Sequence, residues 1–136
     1  MPIEPIATRN AWGTCSVVAK GSALVTITPL ICKSRQRDEE FKRLSALIDE
    51  VAISLPGFVG TQSWCSADGE LVNASDYWQD EASIRAFATH PRHLEAKRQY
   101  RKWYAGYQVV ISRVERAYGD GTVSSFVAND RHARHA

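Results

Sequence analysis

Two imidazoles sit three residues apart around a proline, in the run His90-Pro91-Arg92-His93. Imidazole titrates near neutral pH, so either ring can act as a general base or hold a carbonyl oxygen. A helix starting at Pro91 leaves unbonded N–H groups and a positive dipole end beside His93. That field disfavours the imidazolium, which makes His93 the candidate base. The competing reading is that His93 caps or packs the second helical piece. Two histidines without a third ligand fall short of a metal site, so no metal is expected. Eight of the thirteen aromatic residues fall between Tyr77 and Tyr118. Trp78, Phe87, Trp103 and Tyr104, with His90, are the candidate walls of a pocket for a flat aromatic ligand. The same rings would equally serve as core, since large aromatics dominate burial. Asn73 lies in mid-strand, where asparagine is disfavoured and must find a hydrogen bond. It can orient a substrate or bond across to a partner. Cys65 and Ser63 have no sequence-apparent histidine partner, so nucleophilic catalysis has no support.

Composition narrows the classes. A chain of 136 residues fits one domain and can bury a core without disulfides or metal. Seventeen basic against fifteen acidic residues is too balanced to indicate a nucleic-acid partner. The basic group Arg92, Lys97, Arg98, Arg101 and Lys102 reads as a solvated helix face. No apolar run exceeds three residues, so no membrane span is expected. The first residues have neither a basic region nor an apolar core, so no secretory signal is expected. Cys15, Cys32 and Cys65 form no disulfide or metal pattern and read as reduced thiols. A cytoplasmic location is the expectation.

The elements that must position these residues follow from periodicity. Residues 1–21, interrupted by Pro2, Pro5, Gly13 and Gly21, read as an arm or short added strand anchored by Trp12. A body spans 22–118. Ala23 to Thr28 is β-branched and extended. Asp38 is a plausible N-cap for an amphipathic helix carrying Phe41, Leu44, Ile48, Val51 and Leu55 at spacings of three and four. Leu55-Pro56-Gly57 stops it. Phe58 to Cys65 and Leu71 to Trp78 are strands joined through Asp68-Gly69, a hairpin signal in which both residues take positive φ. A helical stretch from Asp80 to about Tyr104 is broken near Pro91. Gln108 to Tyr118 is the last and longest strand. The tail, 119–136, is polar and expected to be mobile.

This order is β-α-β-β-α-β, the ferredoxin-like arrangement of the α+β class. Right-handed crossovers put two helices on one face of a four-stranded antiparallel sheet. The other face is left apolar and uncovered, and self-association is the simplest remedy.

Particular residues carry a family resemblance over about 22–118. Leu55-Pro56-Gly57-Phe58-Val59-Gly60-Thr61-Gln62 resembles the segment opening the second strand of antibiotic biosynthesis monooxygenase (ABM) domains. Tyr77-Trp78-Gln79-Asp80-Glu81-Ala82 resembles their approach to the second helix. His90 to Ala96 and Trp103 to Tyr107 are similar to one subset of these domains. The resemblance implies a dimeric α+β barrel, two protomers packed sheet to sheet, with a pocket between helices and sheet. It also implies membership among cofactor-free oxygenases of aromatic polyketides, quinol monooxygenases and haem-degrading enzymes, beside members without a known reaction. The haem-degrading members use an Asn on the first strand and a Trp and a His on the second helix. Here the first strand has no Asn, and Phe87 and Lys97 stand at the other two positions. A protonated Lys97 has no lone pair for iron, and His93 lies a turn away, so no haem and no other cofactor is expected.

The sequence therefore points to a homodimeric, cofactor-independent monooxygenase of a small aromatic or quinone-like substrate. His93 is its base, and Trp78, Phe87, His90, Trp103, Tyr104 and Asn73 contact the substrate. The alternative is a non-catalytic ligand-binding or structural dimer of the same fold.

Overall fold

The computed structural model describes residues 3–10, 23–33, 39–123 and 126–127. Trp12, Cys15 and the Asp38 cap lie outside them. The chain runs β1 (Ile3–Asn10), β2 (Leu24–Cys32), α1 (Glu39–Ser54), β3 (Phe58–Ser66) and β4 (Leu71–Trp78). It continues through α2 (Glu81–Thr89), α3 (Pro91–Arg98), a 3₁₀ turn at Tyr100–Lys102, β5 (Tyr104–Tyr107) and β6 (Val110–Arg113). All strand pairs are antiparallel, in the order β1-β3-β4-β2-β5, with β6 also on β2.

The ferredoxin-like α+β core is present, with three differences from the sequence expectation. The arm supplies a strand that pairs along β3, so the sheet is wider than four strands. The last strand is two short pieces: β5 pairs with β2 near Ile31 and β6 near Val25. The helical stretch also ends earlier than expected, since α3 closes at Arg98 and Tyr104 is already extended. The break at Pro91 occurs as expected, dividing α2 from α3.

The hairpin turn differs too. Only Gly69 has positive φ, at 75°. The Gly69 N–H bonds to the Ser66 carbonyl at 2.9 Å, and Asp68 Oδ1 accepts from Ser66 Oγ and the Glu70 N–H. Asp68 thus stabilises the loop through its side chain without adopting a positive φ.

Alternation sorts the sheet residues into two faces. Leu24, Phe58 and Trp78 face the helices and pack with Ala52, Ile84, Leu55 and Phe87. The Trp78 indole N–H donates to Thr26 Oγ1 at 3.2 Å, which satisfies the buried ring's one donor. On the opposite face Ala23, Val59 and Tyr77 are covered by Phe126 and Val127, with Val114 and Ala117 alongside. Part of the tail expected to be mobile is therefore core: Phe126 is 2% exposed and Val127 5%.

The start of α2 is fixed by a tight junction. Asp80, extended at φ −150° and ψ 158°, caps the helix by accepting from the Ser83 N–H at 2.7 Å. The Ser83 hydroxyl accepts from the Gly57 N–H at 3.0 Å, and the Gln79 N–H donates to the Gly57 carbonyl at 2.7 Å. A Cβ on Gly57 would lie 2.3 Å from Asp80 Oδ2, so only glycine fits.

Candidate functional site

The residues singled out in the sequence occupy three places. The first is a column of rings on the helix side. Phe58, Trp78 and Phe87 follow one another at centroid separations of 5.2 and 5.4 Å, and His93 stacks on Phe87 at 4.3 Å. Trp78 is fully buried in this column. His93 Nδ1 lies 3.1 Å from the Phe87 carbonyl, which also accepts from the His90 N–H. A carbonyl at a helix C-terminus has no acceptor-side partner within its own helix, and these two donors supply it. Donation from Nδ1 leaves the Nε2 lone pair of a neutral ring. Burial lowers the His93 pKa, Lys97 and His90 add to that, and hydrogen bonding to the Phe87 carbonyl opposes it. His90 caps α3, its Nδ1 accepting from the Arg92 N–H at 3.1 Å.

Trp103 and Tyr104 form a second group, at the opening turn of α1. Their rings meet Phe41 edge-on at 5.4 and 6.0 Å.

Asn73 marks the third place, on the other side of the sheet. The register sets Asn73 between Pro29 on β2 and Trp64 on β3, with Ile31 opposite Leu71 one step along. These residues line an open pocket of about 600 Å³, together with Leu30, Cys65, Ser66, Val72, Gly106, Tyr107 and Gln108. That volume lies in the range of small-molecule sites. None of the lining residues is charged. Asn73 Oδ1 is buried and makes no hydrogen bond, alone in this among the described side chains. A buried polar atom left unpaired costs roughly 1–3 kcal/mol, so it calls for a donor.

His93, Trp78 and Phe87 are thus brought together, Trp103 and Tyr104 form a separate group, and Asn73 belongs to the pocket. Sequence reasoning missed Trp64, Ile31 and Leu71. The available signal was the pairing of Asn73 with its neighbours across three strands, which one strand does not disclose. Among the described residues no three His, Cys, Asp or Glu side chains converge to hold a metal. No helix among them is long and apolar enough to cross a membrane.

No protein-family model matches the chain. Uncharacterized protein YqjZ of Bacillus subtilis is 30% identical over 82 residues, covering 60% of this chain and 71% of the relative. SnoaB, a cofactor-independent oxygenase from Streptomyces nogalater, superposes with a TM-score of 0.56 at 15% identity, covering 68% of this chain and 93% of SnoaB. A candidate antibiotic biosynthesis monooxygenase from Nitrosomonas europaea gives 0.57 at 22% identity, covering 69% and 91%. The chain shares its fold with proteins named as antibiotic biosynthesis monooxygenases and cofactor-independent oxygenases. A candidate monooxygenase of Fusobacterium nucleatum gives 0.67 at 12% identity over 84% of this chain, which spans 51% of that protein. What the ABM-like fold fixes is the sheet and its helices.

Proposed function

We propose that the chain is a cofactor-independent monooxygenase of a small, uncharged aromatic or quinone-like substrate, acting as a homodimer. The fold shared with a cofactor-independent oxygenase supports the reaction class. The observation that carries the site is the unpaired Asn73 Oδ1 in an apolar, uncharged pocket. A rotation of the Asn73 side chain that turns this oxygen to the pocket lets a phenolic hydroxyl donate to it and holds the ring among Trp64, Ile31 and Leu71. In the reaction an electron-rich substrate, having given a proton to solvent at the open pocket mouth, passes electrons directly to dioxygen, and that proton returns in the water that forms. A ring methylene and O₂ give a ring carbonyl and water, and no other reductant is needed. The protein's part is to exclude water, orient the ring and hydrogen-bond the reacting oxygen.

The same sheet face supports the homodimer. Its Tyr77 end is covered by Phe126, whereas Ile31 and Leu71 at the Asn73 end are each half exposed. Apolar surface of that kind is stabilised by a partner.

Oxygen uptake with a panel of anthrones and naphthohydroquinones tests the reading. The wild type should consume O₂ faster than buffer, and Asn73→Leu should lose that gain. Tight binding without oxygen uptake would instead establish the non-catalytic alternative. A second reading keeps His93 as base on the helix side, favoured by its lowered pKa and the Nε2 lone pair. Loss of turnover in His93→Gln, with Asn73→Leu fully active, would select it.

A further inference from the structure

We propose that the elbow between α2 and α3 is an acid-operated latch, in which two neutral imidazoles hold α3 closed over Phe87 and their protonation lets it swing away. The hinge is His90, extended at φ −62° and ψ 136° between the two helices. Pro91 has no N–H to continue the hydrogen bonding of α2, so the two helices are not one rod. None of the α3 residues is fully buried, so apolar burial docks this helix only weakly. The bonds made at its first turn therefore decide its position.

Each imidazole bonds one side of the elbow, and the two do so as opposite tautomers. His90 Nδ1 accepts from the Arg92 N–H at 3.1 Å, so the proton of this neutral ring sits on Nε2. His93 Nδ1 donates to the Phe87 carbonyl at 3.1 Å, the same carbonyl that the His90 N–H reaches at 3.3 Å. This ties the first turn of α3 to the last turn of α2 and stacks the His93 ring on Phe87 at 4.3 Å. Protonation acts differently on the two rings. On His90 the new hydrogen occupies the acceptor nitrogen, which removes the cap and sets two donors against each other at the positive end of a helix. His93 keeps its bond but becomes a half-buried cation one turn from Lys97.

Carboxylates on the packed elements already have partners. Glu50 on α1 meets Arg92 at 3.8 Å, Glu81 on α2 meets Arg85 at 3.9 Å, and Glu95 on α3 bonds Arg98 and Gln99. The 3₁₀ turn adds Arg101, over the Tyr100 ring, and Lys102, bonded to Glu40. The charges acting on His93 are those of Lys97 and His90, and both oppose its protonation. Acid thus favours the open elbow, which uncovers Phe87, the outer phenyl ring of the column that reaches Trp78.

Hydrogen exchange read by NMR on the full chain tests this. Protection factors over residues 92–98 are compared with those of β3 and β4 at pH 7.5 and pH 5, above the ordinary carboxylate range. Loss of a cap weakens helix closure about fivefold, so protection over 92–98 should fall by about fivefold or more, with β3 and β4 unchanged. His90→Asn keeps an oxygen acceptor for the Arg92 N–H at every pH and should remove most of that fall. His93→Gln should remove the remainder. Should a variant fail to fold, the wild type decides alone: the Arg92 amide resonance must move with the titration of the His90 ring, and an amide that stays still overturns the latch. Equal protection at the two pH values would overturn it as well. So would a fall that both variants reproduce in full, which would place the acid-sensitive group elsewhere. A parallel loss in β3 and β4 would show general unfolding in place of a moving elbow.

Discussion

The backbone N–H of Gly57 donates to the Ser83 hydroxyl across 3.0 Å, joining the first residues of β3 to the first turn of α2. Asp80 sits beside this bond, its carboxylate 2.3 Å from where a Gly57 Cβ would stand. The motif at 55–62 and the motif at 77–82 are therefore two sides of one junction.

Gly57→Ala forces Asp80 and Ser83 apart and should cost more than about 2 kcal/mol in urea denaturation. Ser83→Ala leaves the Gly57 N–H buried without an acceptor and should cost roughly 1–3 kcal/mol. Gly69→Ala has open space around it and pays only for left-handed backbone, about 1–2 kcal/mol. A Gly57→Ala variant as stable as wild type would mean the junction is not tight.

The His93 pKa is lowered in the folded chain by burial and by Lys97. A depressed pKa means the unfolded state binds the proton more readily. The contribution to stability is then complete above the ordinary value of 6.5 and is lost as pH falls through the lowered folded-state pKa. Chemical denaturation between pH 7.5 and 4.5 should show stability falling in wild type, with a smaller fall in His93→Gln. Identical profiles would show that His93 has the same pKa in both states.

Phe126→Ala removes a side chain buried against Ala23, Val59 and Tyr77 and should cost about 3–5 kcal/mol. Tyr118→Ala, 59% exposed, should stay within about 0.5 kcal/mol of wild type. Burial under Phe126 also holds the Tyr77 phenol above its ordinary pKa. Spectroscopic titration should therefore detect a tyrosine that ionises earlier in Phe126→Ala.

Asn73→Leu replaces an unpaired buried acceptor with apolar surface of similar size. In the absence of ligand it should raise stability, by up to roughly 1–3 kcal/mol. A clear loss in thermal denaturation would mean that Asn73 is paired in solution.

Local pattern determined much of this molecule. The spacing from Phe41 to Leu55 is the helix, Asp80 is its cap for α2, and Pro91 is the break, because each rests on contacts within a few residues. The face on which Asn73 lies could not be read from one strand, since period-two alternation names two faces without saying which the helices cover. Only pairing across β2, β4 and β3 sets Asn73 beside Pro29 and Trp64 and leaves its oxygen unpaired. The polar tail hid Phe126 and Val127 for a similar reason: two apolar residues in a polar context have no period, and their burial depends on Ala23, Val59 and Tyr77, far earlier in the chain. The aromatic residues between 77 and 118 were legible as rings but not as a group. Their division between the Trp78 column and the Phe41 cluster follows from where α1 and α2 land on the sheet, and that is decided by long-range packing.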